Sequence, residues 1–167
     1  MKKLILVTVL LAAVSFAVPP KGGIVPCLST CCLGPRVGLE MNEGTKVKSD
    51  EWLGLIGGML VGVNVSPYMA GYQAFTGESM NEQKVDQRLG GPMIKASAPK
   101  ATGGCGPALG SFCLGPRVGL EMNDGRGIRT IEWFALVIPL VPQAMMGYEA
   151  YSGKTMSEVA AVEGLDK

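Results

Sequence analysis

Nowhere along the chain do apolar and polar positions alternate with the period of two that a half-buried strand requires. The pattern therefore predicts helices throughout, an all-α fold. Pro35 and Pro116 stand where a first helical residue would, since a missing N–H costs nothing there, and Gly44 and Gly125 follow as left-handed stops. Between them lies a short helix, Pro35 to Asn42 and its counterpart Pro116 to Asn123. Arg36 and Glu40 (Arg117 and Glu121) sit four apart on one face of it. Ser49 and Thr130 can cap the next helix, whose first turn carries Glu51 or Glu132, an acid where the helix dipole favours one. A long apolar stretch follows and ends at Gly77 or Gly153. Ser79-Met80-Asn81-Glu82 and Thr155-Met156-Ser157-Glu158 then open a last helix with the capping-box pattern.

The punctuation occurs twice because the chain matches itself. Cys32 to Asn42, CLGPRVGLEMN, returns unchanged as Cys113 to Asn123, and the match continues through Glu51-Trp52 against Glu132-Trp133. Farther on, GYQAFTGESMNE (Gly71 to Glu82) aligns with GYEAYSGKTMSE (Gly147 to Glu158). Eleven consecutive identities predict a duplication. The expected organisation is repeat 1 over 18–82, a Gly-, Pro-, Ala- and Lys-rich linker over 83–104, and repeat 2 over 105–167.

Two apolar stretches raise the question of a membrane. Residues 52–77 carry no charge over 26 positions, enough to cross a hydrocarbon layer that needs about 20. Within them Gly54, Gly58 and Gly62 recur every four residues, a stripe that lets helices approach closely in lipid. In a water-soluble helix each such glycine costs roughly 1 kcal/mol. Trp52, Tyr68 and Tyr72 would mark the interfaces. The alternative is a buried hairpin in a soluble bundle, broken at Asn64-Val65-Ser66-Pro67. The second stretch, Trp133 to Tyr148, has 16 uncharged residues, two prolines (Pro139 and Pro142) and no glycine stripe. At about 24 Å it falls short of a hydrocarbon core of about 30 Å, so it reads as kinked, re-entrant or interfacial. One crossing would also put the identical strings on opposite sides of the membrane. Each stretch is therefore expected either to dip and return, with breaks near Pro67 and Pro139-Pro142, or to form a hairpin with residues 22–35 or 101–116.

The amino terminus changes the compartment. Residues 1–17 have a Lys2-Lys3 start, an apolar run from Leu4 to Val14 and a Ser15-Phe16-Ala17 end, the layout of a cleaved signal peptide. The exported chain keeps 13 basic and 14 acidic residues, a balance that offers nucleic acid nothing. The sequence has no His, which removes His-based triads and His-ligated metals, and no phosphate-binding glycine loop or nucleophile elbow is present. Export makes disulfides the default for Cys27, Cys31, Cys32, Cys105 and Cys113, with Cys32–Cys113 or Cys27–Cys31 as candidate pairs and one thiol left over.

These features point to a non-enzymatic, exported helical protein of the cell (inner) membrane with a structural or interaction role. Its fold is expected as two tandem helical repeats with membrane-embedded or interfacial apolar helices, its partners as membrane lipid, a second copy or another membrane protein, with no cofactor and no metal. The alternative is a soluble periplasmic or secreted binding domain clamped by disulfides. Gly54, Gly58 and Gly62 are the expected helix-packing residues. Arg36, Glu40, Arg117 and Glu121 are candidates for contact with a head group or partner, against a plainer reading as intrahelical ion pairs of about 0.2–0.5 kcal/mol.

Overall fold

The computed structural model describes residues 21–61, 65–95, 103–138 and 140–166, so the expected signal peptide and Gly62 lie outside the described residues. Every regular element among them is helical. In order these are α1 (Ile24–Leu33), α2 (Val37–Asn42), α3 (Ser49–Val61), α4 (Ser66–Phe75), α5 (Met80–Asp86), α6 (Cys105–Cys113), α7 (Val118–Asn123), a 3-10 helix (Thr130–Leu136), α8 (Leu140–Tyr151) and α9 (Met156–Glu163).

Local chemistry accounts for most boundaries. Both capping boxes close: the Ser79 hydroxyl accepts from the Glu82 N–H while the Glu82 carboxylate accepts from the Ser79 N–H, and Thr155 and Glu158 do the same. Gly44 (φ 88°) and Gly125 (φ 85°) end α2 and α7 in the left-handed region. The short helices begin at Val37 and Val118, later than the prolines suggest, because Pro35 and Pro116 occupy the turn before them. Ahead of α3 and the 3-10 helix, Glu51 and Glu132 reach back to accept from the Lys48 and Arg129 N–H groups, each at 2.9 Å. The acids satisfy those otherwise orphaned donors.

The tertiary arrangement crosses over. α1 packs on its neighbour α2 but also along α8, and α6 packs on α7 but also along α4. Leu39 is thus buried in a cluster with Met146, Ala150, Met156 and Val159, while Leu120 joins Ala70, Ala74, Met80 and Leu89. The polar pinning matches across the two strings. The Asn42 amide donates to Ala150 O and Lys154 O, capping the end of α8, and the Asn123 amide donates to Ala74 O and Glu78 O, capping the end of α4. Gly38 and Gly119 permit the closest contacts. A Cβ at either would drive into the carbonyl oxygen of Pro26 or Pro107 on the crossing helix.

No helix among the described residues is long and apolar enough to cross a membrane. The first charge-free stretch divides into α3 and α4, with Pro67 in the first turn of α4, and the second divides into the 3-10 helix and α8, with Pro142 in the first turn of α8. Proline is tolerated in a first turn but breaks a helix farther in, so the long stretches become pairs of short helices. The segment expected as linker begins in α5, and its Leu89 and Ile94 are buried. In the glycine stripe, Gly54 is buried, whereas an added Cβ at Gly58 meets nothing within 4 Å. All five cysteines are free thiols, so neither Cys32–Cys113 nor Cys27–Cys31 is joined.

Candidate functional site

The two strings deliver their charges to a shared, buried centre. Short helices α2 and α7 are buried along nearly their whole length, so their polar side chains have no exposed face to occupy. Arg36, 1% exposed, grips Glu132 with Nε and Nη2 at 2.5 Å each, donates from Nη1 to Glu121 at 2.9 Å and from Nη2 to Gly127 O. Arg117 repeats the pattern in reverse. Its Nε and Nη2 hold Glu51 at 2.5 and 2.6 Å, Nη1 reaches Glu40 at 3.1 Å, and Nη2 reaches Lys46 O. The expected pairs Arg36–Glu40 and Arg117–Glu121 are therefore not the ones formed; each arginine bonds the acids of the other half. The reason is geometric: a two-pronged guanidinium–carboxylate grip in a buried interior outweighs a solvated contact one helical turn away.

Additional cations complete the balance, one in each half but from different elements. Arg126 donates to Glu121 at 2.9 Å and to Asp166 at 2.7 Å. Lys84, on α5, stands 3.6 Å from the Glu40 carboxylate and donates to Pro92 O. At the matching positions the other half has Thr45 and Ala160. Two different substitutions therefore bring one positive group to each acid.

Glu40 and Glu121 meet between the arginines. Each carboxylate commits Oε2 to cations, and each has a buried Oε1 with no other donor. Burial pushes the Glu40 carboxyl up, Arg117 opposes this, and Glu121 pushes it up again, to about 8. Glu121 goes the other way, because Arg36 and Arg126 outweigh its burial and hold it below the usual carboxylate range. The opposed shifts favour a proton on Glu40 and the charge on Glu121. Burial also opposes the charge on the arginines, but their carboxylates outweigh it and keep both guanidiniums firmly protonated.

A pH dependence follows, with its sign fixed by linkage. The fold holds on Glu40 a proton that the unfolded chain releases near 4.5, so this contribution is full below that pH and is lost as pH rises towards 8. Glu121 contributes in the opposite sense, stabilising above 4.5 and losing that effect in acid. Glu40→Gln replaces the protonated carboxyl O–H with an amide N–H and keeps a carbonyl for Arg117. Thermal melts followed by circular dichroism will show the parent midpoint falling between pH 5 and 8 by roughly 5 °C or more, and the variant nearly flat over that range.

Three thiols lie apart from this centre. Cys31, Cys32 and Cys113 line a cleft of about 320 Å³ with Gly34, Pro35, Gly115 and Pro116, where the turns before α2 and α7 meet. Burial raises the Cys31 and Cys32 thiols, and neighbouring Cys27 and Cys32 raise Cys31 further, which disfavours the reactive thiolate. Among the described residues no group of three or more His, Cys, Asp or Glu could hold a metal ion.

The exterior carries the opposite character. Leu60, Val137 and Leu140 are 78%, 79% and 76% exposed, and Tyr68, Tyr72, Trp133, Phe134, Tyr148 and Tyr151 are more than half exposed. Apart from Val137, which follows the 3-10 helix, they belong to α3, α4, the 3-10 helix and α8, the elements made from the charge-free stretches.

Sequence reasoning singled out Arg36, Glu40, Arg117 and Glu121 and missed the roles of Glu51, Glu132, Lys84 and Arg126. The usable signal was the second acid, fifteen positions after each arginine in both strings. Compared with protein-family models, with curated proteins and with solved structures, the chain matches none.

Proposed function

We propose that this chain is a non-catalytic, exported membrane protein in which two tandem helical repeats clasp one another through their CLGPRVGLEMN strings. Its apolar helices lie in or against lipid, and it serves as a structural or interaction element of the cell (inner) membrane, alone or as a homo-oligomer. The observation that carries this reading is a double departure from the ordinary pattern. Arg36, Glu40, Arg117 and Glu121 are sealed inside beside the apolar core, while Leu60, Val137, Leu140, Tyr72, Tyr148 and Trp133 face outward. Soluble domains keep buried charges rare and exposed apolar patches small.

Several features support the same reading. The outward helices are too short to cross, which suits segments that dip into a bilayer or lie along its interface. Tyrosine and tryptophan favour the level of the head groups. An ion network satisfied within the protein makes no demand on lipid, as a membrane-seated body requires. Gly58, open to its surroundings, leaves a notch on α3 for a second helix.

Carbonate extraction of cells expressing the full chain tests the proposal. Retention in the membrane pellet is expected. Release with the soluble fraction would contradict it and favour a soluble periplasmic or secreted binding domain.

A further inference from the structure

The two halves differ in one region where their sequences place equivalent residues. In the first half, Val25 on α1 and Trp52 and Leu55 on α3 pack against a buried cluster of Leu33, Val37, Met41 and Val47. In the second half, 81 positions on, Val25 gives way to Gly106 and Ser29 to Gly110. Trp133 and Leu136 stand on a 3-10 helix rather than an α-helix, and both are more than half exposed. Met122 and Ile128 are partly uncovered where Met41 and Val47 are buried. These six residues, with Leu109, Cys113 and Leu114, line an open cavity of about 370 Å³, and an added Cβ at Gly106 meets nothing within 4 Å.

We propose that this cavity is a binding site for a single hydrocarbon chain, a fatty acyl group whose polar end stays outside. The lining side chains are hydrocarbon apart from the Met122 thioether, the Cys113 thiol and the Trp133 indole N–H, so little in the lining favours a polar ligand. Its volume falls within the range of small-molecule sites. Walls of this kind offer water few partners and favour apolar guests. The first half shows what suits the space, because there aliphatic and aromatic side chains occupy it. Leu109, Trp133 and Leu136, exposed at the rim, leave the entrance open on the apolar side of the molecule. The proposal does not depend on where the protein resides.

Only two tryptophans are present, so Trp52→Phe makes Trp133 the sole reporter. The purified full chain is titrated with dibrominated stearic acid in one arm and with phosphatidylcholine bearing the same brominated chains in the other, since bromine quenches tryptophan on contact. The expected result is saturable loss of at least half of the Trp133 emission at one chain per protein. The arm that saturates identifies the source as free acid or phospholipid. Gly106→Val refills the cavity as the first half does and raises the half-quenching concentration by about tenfold or more. Ile128→Phe, filling from the opposite wall, gives the same shift should Gly106→Val not fold. Trp133→Phe, which leaves Trp52, shows no saturation. Absence of saturable quenching in both arms would overturn the proposal, as would quenching that persists unchanged in the refilled variants.

Discussion

Replacing Arg36 with methionine will destabilise the chain by about 3–5 kcal/mol, the cost of removing one partner from a buried ion pair. Among the described residues Arg36 is the only cation bonded to Glu132 through its side chain and one of two bonded to Glu121, and all three side chains are fully buried. Methionine fills a similar volume, so the loss is electrostatic rather than a cavity. A second substitution provides the control. Arg36→Met with Glu132→Gln removes the charge left stranded, and Glu121 still has Arg126. The double variant will therefore recover part of what the single one loses, a coupling that two independent surface sites would not show. Arg117→Met will reproduce the effect through Glu51 and Glu40. Against a total stability of roughly 5–15 kcal/mol, a loss of this size leaves little fold. Denaturant titration measures both arms.

Gly119→Ala is the second large effect. The added Cβ falls on Pro107 O and on the Ser111 hydroxyl, and a backbone carbonyl inside α6 cannot swing aside as a side chain would. Overpacking costs about 1–3 kcal/mol where a core can relax, and a backbone contact lies at or above the upper end. Gly38→Ala meets Pro26 O in the same way. Gly58→Ala will have the opposite sign. Its Cβ has open space around it, and alanine in a helix gains roughly 0.8–1.0 kcal/mol over glycine. Thermal midpoints of the three variants separate glycines that hold two backbones together from one that does not.

Much of the local structure was legible in the sequence. The capping boxes at Ser79 and Thr155, the left-handed stops at Gly44 and Gly125 and the breaks near Pro67 and Pro142 each depend on residues within a few positions of one another. Partner choice at the ionic centre was not legible. Arg36 and Glu40 have the spacing of an intrahelical pair, and nothing local reveals that α2 is buried on every side. Burial decides the matter, because a sealed arginine needs several fixed acceptors and the tertiary packing of the two halves brings Glu121 and Glu132 within reach. The 26 charge-free residues were long enough for a span, and the Ser66-Pro67 start of a new helix divides them. The difference between Val25 and Gly106 is plain in the alignment, but its consequence requires knowing that Trp52 packs inward and Trp133 does not.

At stake is whether the exposed apolar side chains of α3, α4, the 3-10 helix and α8 meet acyl chains, while the arginine–glutamate network is sealed within. Photolabelling in membranes with a carbene precursor dissolved in the hydrocarbon, followed by peptide mapping, tests it most directly. Modification is expected to concentrate on 53–60, 68–75 and 133–148, with the segments around Lys46 and Arg88 left clean. Uniform labelling, or a chain that carries no label because it stays in the aqueous phase, would contradict it.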